Sequence, residues 1–276
     1  MKKTIISCVL FLTAVTAFSQ TPMKTAAEAK LSASDLAVKI ADRILATTTY
    51  EFKNTKTGKT YKSVKNLPLD MNVKVACKYN NWHYTNGVTH IALMELADKT
   101  GAKKYDDYVL KNMNFVFNEG NLDFFKKQYD QAMKNEGWYG VRKLSWHMIF
   151  RGKRLDDNGP MGASLIDLQM KHPNNSFLNY INETAEHLNY GEPRLADGTI
   201  ARIWPHENTI WADDAFMAIS FLARMAKMTG DMSYINDAAN QVIKYHKYLW
   251  CPEKRILYHC YHTDTDEHGV AHWSRA

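Results

Sequence analysis

The sequence has 276 residues, 45% of them hydrophobic and 23% charged, the proportions of a globular chain with a sizeable core rather than a disordered one. Its formal net charge of +6 falls to +4 once Lys2 and Lys3 are set aside. The other lysines are scattered among acids with no dense basic run, which argues against nucleic acid as a partner.

Residues 1–20 read as a secretory signal: Lys2-Lys3, an apolar run from Ile5 to Phe18, then small residues before Gln20. The run is shorter than the ~20 residues that span a bilayer. The mature protein is therefore expected to begin near Gln20 or Thr21, to keep no membrane anchor and to be periplasmic or secreted. Its cysteines are Cys77, Cys251 and Cys260, with no CxxC pair, so neither a disulfide framework nor a zinc cluster is expected. A Cys251–Cys260 bond and three free thiols both stay open.

Residues 21–34 are expected to be a flexible leader, with Ser32 or Ser34 capping a helix whose apolar stripe is Leu36, Ala37, Ile40, Ala41, Ile44 and Leu45. Thr55-Lys56-Thr57-Gly58-Lys59 reads as a turn. An internal echo follows. Leu93-Met94-Glu95-Leu96-Ala97-Asp98-Lys99-Thr100-Gly101 with Tyr105 resembles Leu222-Ala223-Arg224-Met225-Ala226-Lys227-Met228-Thr229-Gly230 with Tyr234, and a weaker copy runs from Gly162 through Lys171 to Phe177 and Tyr180. Each copy is an apolar helix, a Gly- or Asn-rich stop and an aromatic opening a second helix, which makes the unit a helical hairpin. The hairpins recur 72 and 57 residues apart, counted over Tyr105, Phe177 and Tyr234, as in helical arrays or closed rings. In all, helices are predicted over 35–48, 86–99, 103–118, 121–135, 159–171, 175–189, 214–229 and 232–249. Residues 191–211 and 258–273 are long, aromatic, His- and Asp-rich connections of the kind that carry function.

Chemistry concentrates before three of these helices. Trp211-Ala212-Asp213-Asp214 runs into one of them, with one aspartate expected as a cap and the other in the first turn. Asp156-Asp157 stands before a second, and Trp82-His83-Tyr84-Thr85-Asn86-Gly87 precedes a third. Capping explains a lone aspartate there, but not the tryptophans or the nearby Arg202, Trp204, His206 and Glu207. Aromatic faces beside carboxylates and cations suit sugar rings. Trp82, Tyr84 and Trp211 are stacking walls or core aromatics with equal weight, and His206 is expected to pack on Trp204.

Leu155-Asp156-Asp157 to Gly162, Arg202 to Met217 through Thr209-Ile210-Trp211-Ala212-Asp213-Asp214, Leu222-Ala223-Arg224-Met225, Tyr258-His259 and Trp273-Ser274-Arg275-Ala276 together resemble the unsaturated glycuronyl hydrolases of glycoside hydrolase families 88 and 105. The unsaturated rhamnogalacturonyl hydrolases look most similar, and the resemblance covers residues 35–276. It implies an all-α (α/α)6 toroid of helical hairpins. Members of the family continue past Trp-Ser-Arg-Ala with an Asn-Gly-Trp stretch and further helices, so the expected domain, residues 35–276, is a toroid lacking its last third.

The resemblance also implies the reaction. A 4,5-unsaturated uronic acid, galacturonic where pectin is the source, is removed from the non-reducing end of a lyase-generated oligosaccharide by hydration of its vinyl ether. An aspartic acid protonates C4, water adds at C5, and the hemiketal opens. Neither metal nor nucleotide is required. Asp213 matches the acid/base aspartate and Asp157 the second catalytic one, with Asp156 adjacent. Arg202, His259 and Arg275 match pocket-lining positions, and an arginine fork suits a carboxylate. Two carboxylates in one cleft are expected to raise the pKa of one of them. The rival readings are a carbohydrate-binding protein without turnover and a sugar epimerase-like toroid using His206 and His259.

Overall fold

The structure, a computed structural model, describes residues 32–117, 120–151 and 154–270. The expected signal segment, most of the leader and the motif containing Arg275 lie outside the described residues. Compact units divide between Arg43 and Ile44, inside α1 (Ala33–Thr47). Ser32 caps α1 reciprocally with Asp35: Asp35 N donates to Ser32 Oγ and Ser32 N donates to an Asp35 oxygen, each at 3.1 Å. The predicted apolar stripe is only half realised. Ala41 and Ile44 are buried, whereas Leu36 and Ile40 are 49% and 53% exposed. Periodicity marks the side of a helix that suits a core; it does not supply the neighbour that covers it.

The second unit opens on a small antiparallel sheet of β1 (Phe52–Asn54), β2 (Thr60–Tyr61) and β3 (Val73–Val75) in the order β2-β1-β3. The predicted turn joins β1 to β2, and Asn54 Oδ1 accepts the amides of Lys56 and Thr57 there, each at 3.0 Å. The three echoes are three hairpins: α2 (Tyr84–Thr100) with α3 (Lys104–Phe117), α5 (Leu155–Lys171) with α6 (Asn175–Glu186), and α7 (Ala212–Thr229) with α8 (Met232–Leu249). Between the first two lies α4 (Asn121–Val141), which runs past its predicted end at residue 135 through a break at Gly137. The first and third hairpins turn on the same device, a left-handed Gly101 or Gly230 whose amide donates back to Ala97 or Ala226. Asn174 and Asp231 then cap the second helix of their hairpins.

Helices α2, α5 and α7 lie side by side, and α3, α6 and α8 each pack on the helix before them. The contact within the first row is backbone on backbone. A Cβ on Gly87 would lie 2.4 Å from the Pro160 carbonyl carbon, and one on Gly159 2.4 Å from the Met217 carbonyl oxygen. Gly159→Ala forces α5 off α7, and overpacking of this kind costs about 3 kcal/mol at the upper end of its usual range. Chemical denaturation should show that loss as a lower midpoint with an unchanged slope.

One of the polar residues enclosed within this row is a histidine. His90 on α2 is 2% exposed, and neither of its ring nitrogens has a hydrogen-bond partner. Burial lowers its pKa from 6.5 to about 4, so the imidazole is neutral in the fold. The unfolded chain then binds the extra proton between those values. The stability associated with neutral His90 is complete above pH 6.5 and falls by about 3 kcal/mol as pH drops toward 4. Denaturation of His90→Leu across this range should lack that part of the slope.

The rest of the unit is short strands and turns. A 3₁₀ turn (His147–Phe150) precedes α5, and a π-helical turn (His187–Gly191) ends α6. The strand β4 (Thr209–Trp211) leads into α7. After α8 come β5 (Trp250–Cys251), β6 (Ile256–Leu257), β7 (Cys260–His262) and β8 (Glu267–His268), so the segment expected to be all loop contains strands. Their side chains carry no long alternation, because each strand is only two or three residues long. Cys77, Cys251 and Cys260 are free thiols. Among the described residues no helix is long and apolar enough to cross a membrane, and no group of three His, Cys, Asp or Glu is arranged to hold a metal ion.

Candidate active site

The N-terminal turns of α2, α5 and α7 follow one plan. The third helical residue is a buried polar group: Asn86 at 4%, Asp157 at 1% and Asp214 at 1% exposure. Each is tied down. Asn86 Nδ2 donates to the carbonyls of Lys78 and Asn81, Arg151 closes its fork on Asp157, and Arg202 closes its fork on Asp214 with Nε and Nη2 both at 2.7 Å. Successive residues on a helix point about 100° apart, so the residue before each buried one looks elsewhere. Asp156 and Asp213 are those residues, and the two aspartate pairs are equivalent: Asp156 to Asp213, Asp157 to Asp214.

This arrangement corrects two expectations. Asp156-Asp157 does not precede its helix, because α5 begins at Leu155 and takes both acids into its first turn. Pro160 lies inside α5 and removes only one bond from the ladder, to the Asp156 carbonyl. Neither Asp213 nor Asp214 is the cap of α7. Trp211 holds that position, in extended conformation and without a side-chain bond.

Asp213 lies in the first turn of α7 with its side chain 10% exposed, and its Oδ2 is 2.9 Å from His259 Nε2. Strand pairing brings the two together. β4 lies antiparallel to β7 with Trp211 opposite Cys260, and Ala212 N donates to the His259 carbonyl at 2.9 Å, so His259 is fixed beside the start of α7. The His259 ring meets the edge of Trp211 at 5.0 Å, and the Arg202 guanidinium lies 4.8 Å over the Trp211 ring. Arg202 Nη2 also reaches Asp156 at 3.4 Å. A continuous run of contacts therefore joins Asp213, His259, Trp211, Arg202 and Asp156, five of the residues selected from sequence.

The others fall differently. Trp82 is a core residue, 1% exposed, packed edge-on against Tyr180 at 4.8 Å, and its indole donates to the Asp157 carbonyl at 2.8 Å. It braces α5 from behind and offers no face to a ligand. Tyr84 is half-buried at the start of α2, with its ring 4.5 Å from His83. His206 is on an exposed loop and meets His262 at 5.6 Å, not Trp204. Asp157 lies buried beneath Asp156.

A cleft of about 520 Å³ opens beside this row, with Asp156, Arg202 and Asp214 in its wall. It also takes in Trp204, expected only as a packing partner for His206, together with Arg151, Arg154 and Trp138, none of which was singled out for a role, and the His187–Glu192 pair, 2.8 Å apart, from the π-helical turn. Trp138 follows the Gly137 break, and Arg151 and Arg154 lie between the 3₁₀ turn and α5. No periodic signal marks such positions.

The electrostatics are governed by burial. Burial pushes the Asp157 and Asp214 carboxyls above the usual carboxylate range, against the pull of Arg151 and Arg202 respectively. Mutual repulsion, the expected cause, is secondary: Asp156 adds to both shifts less than burial does. Burial is the largest single influence on Arg202 and opposes its charge, but the hydrogen bonds to Asp214 together with the charges of Asp214, Asp156 and Asp213 outweigh it and hold the guanidinium above its ordinary value. His83 is lowered by burial, with Asp156 pulling the other way.

The sequence matches the family model described as Glycosyl Hydrolase Family 88 over residues 56–276. Its structure is similar to that of a possible member of glycoside hydrolase family 105 from Salmonella enterica serovar Paratyphi A, with 14% identity, coverage of 86% of this chain and 54% of that one, and a TM-score of 0.54. It is similar also to a family 105 glycoside hydrolase from C. acetobutylicum, with 20% identity, 85% and 53% coverage and a TM-score of 0.55. A third similar structure is an inactive variant of an alpha-1,6-mannanase from Salegentibacter sp. HEL1_6 in complex with alpha-1,6-mannotetrose, at 12% identity, 87% and 59% coverage and a TM-score of 0.52. No curated protein matches the sequence. At these identities the likeness is one of fold, the all-α toroid of hairpins. The chain spans a little over half the length of these structures.

Proposed function

The chain belongs to glycosyl hydrolase family 88, and from that premise we propose that it removes a 4,5-unsaturated uronic acid from the non-reducing end of oligosaccharides left by a polysaccharide lyase. The observation that carries this reading is the Asp213 carboxylate. It stands in the first turn of α7, bonded to His259, whose ring meets Trp211 with Arg202 stacked upon it.

In this reaction Asp213 gives its proton to C4 of the vinyl ether, and positive charge develops at C5 and the ring oxygen. Water adds at C5, and the hemiketal so formed opens and releases the rest of the sugar. His259 Nε2 fixes the carboxyl in place and accompanies its change of charge. Trp211 offers an apolar face to the ring, with Arg202 stacked upon it. Asp156, equivalent in the repeat to Asp213 and 36% exposed, is the second acid that meets the sugar. Asp157 is a positioning residue in this scheme, since it is enclosed by Arg151 and Trp82.

The resemblance to unsaturated rhamnogalacturonyl hydrolases favours galacturonic acid from pectin as the sugar. The pattern of residues 1–20 favours export to the periplasm or beyond, where lyase products form. Mixing the protein with unsaturated disaccharides from rhamnogalacturonan, homogalacturonan, glycosaminoglycan and ulvan should bleach the ultraviolet absorbance of the conjugated acid, fastest for the first. Persistence of the absorbance with all four would overturn the reading.

A further inference from the structure

The arginines of the cleft wall are not equivalent. Arg202 is closed on Asp214 and Arg151 on Asp157, so both forks are occupied by carboxylates of the protein itself. Arg154 is different. Among the described residues it forms no ion pair and no side-chain hydrogen bond, and its one specific contact is with an aromatic ring: its guanidinium carbon lies 4.6 Å over Trp204. Trp204 lines the same cleft, with 60% of its surface exposed. The arginine thus rests over an indole, and its fork has no acceptor among the described residues.

Its surroundings are short of negative charge. Partial burial and the neighbouring charges of Arg151 and Arg202 all work against the Arg154 cation, while Asp157 and Asp156 only partly offset them. A half-buried guanidinium with no acceptor loses hydration without recovering it in hydrogen bonds. An oxyanion entering the cleft would supply both the missing acceptors and the missing charge. Stacking on the indole removes rotamer freedom in advance, so less is lost when the anion arrives.

We propose that Arg154, held on Trp204, is a specificity-determining residue that receives an oxyanion of the saccharide, a carboxylate or a sulfate ester. This rests on the saccharide reading of the cleft. It goes further by assigning the charge recognition to a side chain that takes no part in the proton transfer. The anion belongs either to the unsaturated sugar or to the sugar that follows it.

Calorimetric binding separates these, with Asp213→Asn as the background so that ligand is not consumed. The ligands are an unsaturated disaccharide with a neutral second sugar, one with a sulfated second sugar, and an uncharged disaccharide of the same size. Adding Arg154→Gln should weaken binding of a ligand that uses the fork by about 10- to 100-fold, the range for charge-assisted hydrogen bonds, and leave the uncharged one alone. Equal weakening for both unsaturated ligands assigns the anion to the first sugar; weakening confined to the sulfated one assigns it to the second. Arg154→Lys, which keeps the charge but not the fork, should fall between, and Trp204→Ala should lose the same selectivity with Arg154 intact. Unfolding midpoints of all variants separate misfolding from lost recognition. The proposal fails if Arg154→Gln folds and binds both unsaturated ligands as tightly as its parent. Since binding is read without turnover, a protein that binds through Arg154 but never bleaches the chromophore would refute the hydrolase reading alone.

Discussion

Asp213→Asn is expected to slow loss of the unsaturated chromophore by about 10²–10⁴-fold, the usual contribution of a positioned general acid. The amide has the shape of the carboxylic acid and retains a hydrogen-bond partner for His259 Nε2, 2.9 Å away, but it has no acidic proton to give to C4. The fall should therefore appear in kcat, with KM changed little, as for a group whose contribution is made in the transition state. The substitution keeps the size and shape of a side chain that is 10% exposed, so its effect should fall on rate more than on folding. The neighbouring position supplies a contrast. Asp214→Asn removes a carboxylate that is 2% exposed and held by both arms of Arg202, so its effect should fall on stability as well as rate. Equal activity of Asp213→Asn and the parent protein would remove Asp213 from the chemistry and leave the fold argument untouched.

The contrast between adjacent acids also marks the limit of what the sequence shows. Hairpins were legible because their signals are local: apolar residues three and four apart, Thr-Gly at the end of α2 and α7, Asn174 or Asp231 opening the next helix. The place of the site was legible too, since the aspartate pairs and the Trp82 segment stand at equivalent points of a repeat. Which acid of each pair is buried was not. That depends on the rotation of one residue about the helix axis and on an arginine brought in from another segment, 12 residues away for Arg202 and Asp214. Trp82 illustrates the same limit. Its motif position is that of a cleft residue, but its indole bonds to the Asp157 carbonyl, 75 residues on, and that contact buries it. Arg154 and Trp204 have no periodicity to announce them, only a turn and a loop that happen to face one cleft.

The Arg202–Asp214 pair should carry a large stability effect. Arg202→Ala leaves Asp214 buried without its partner, and breaking a buried pair from one side costs about 3–5 kcal/mol. The pair is well enough enclosed for that figure to apply, with side-chain exposures of 19% and 2%. Burial already pushes the Asp214 carboxyl up in the native protein; with the opposing guanidinium gone it rises further. The folded variant then holds a proton that the unfolded chain has released, so its stability declines as pH rises from the ordinary carboxylate range through the raised value. Denaturation of Arg202→Ala should accordingly show a larger deficit at pH ~8 than at pH ~5. Arg202→Ala/Asp214→Asn should regain part of the loss, because the second change removes the stranded charge without restoring any contact. A single-variant deficit below about 1 kcal/mol, the value of an exposed pair, would show that the ion pair is solvated rather than built into the base of α7.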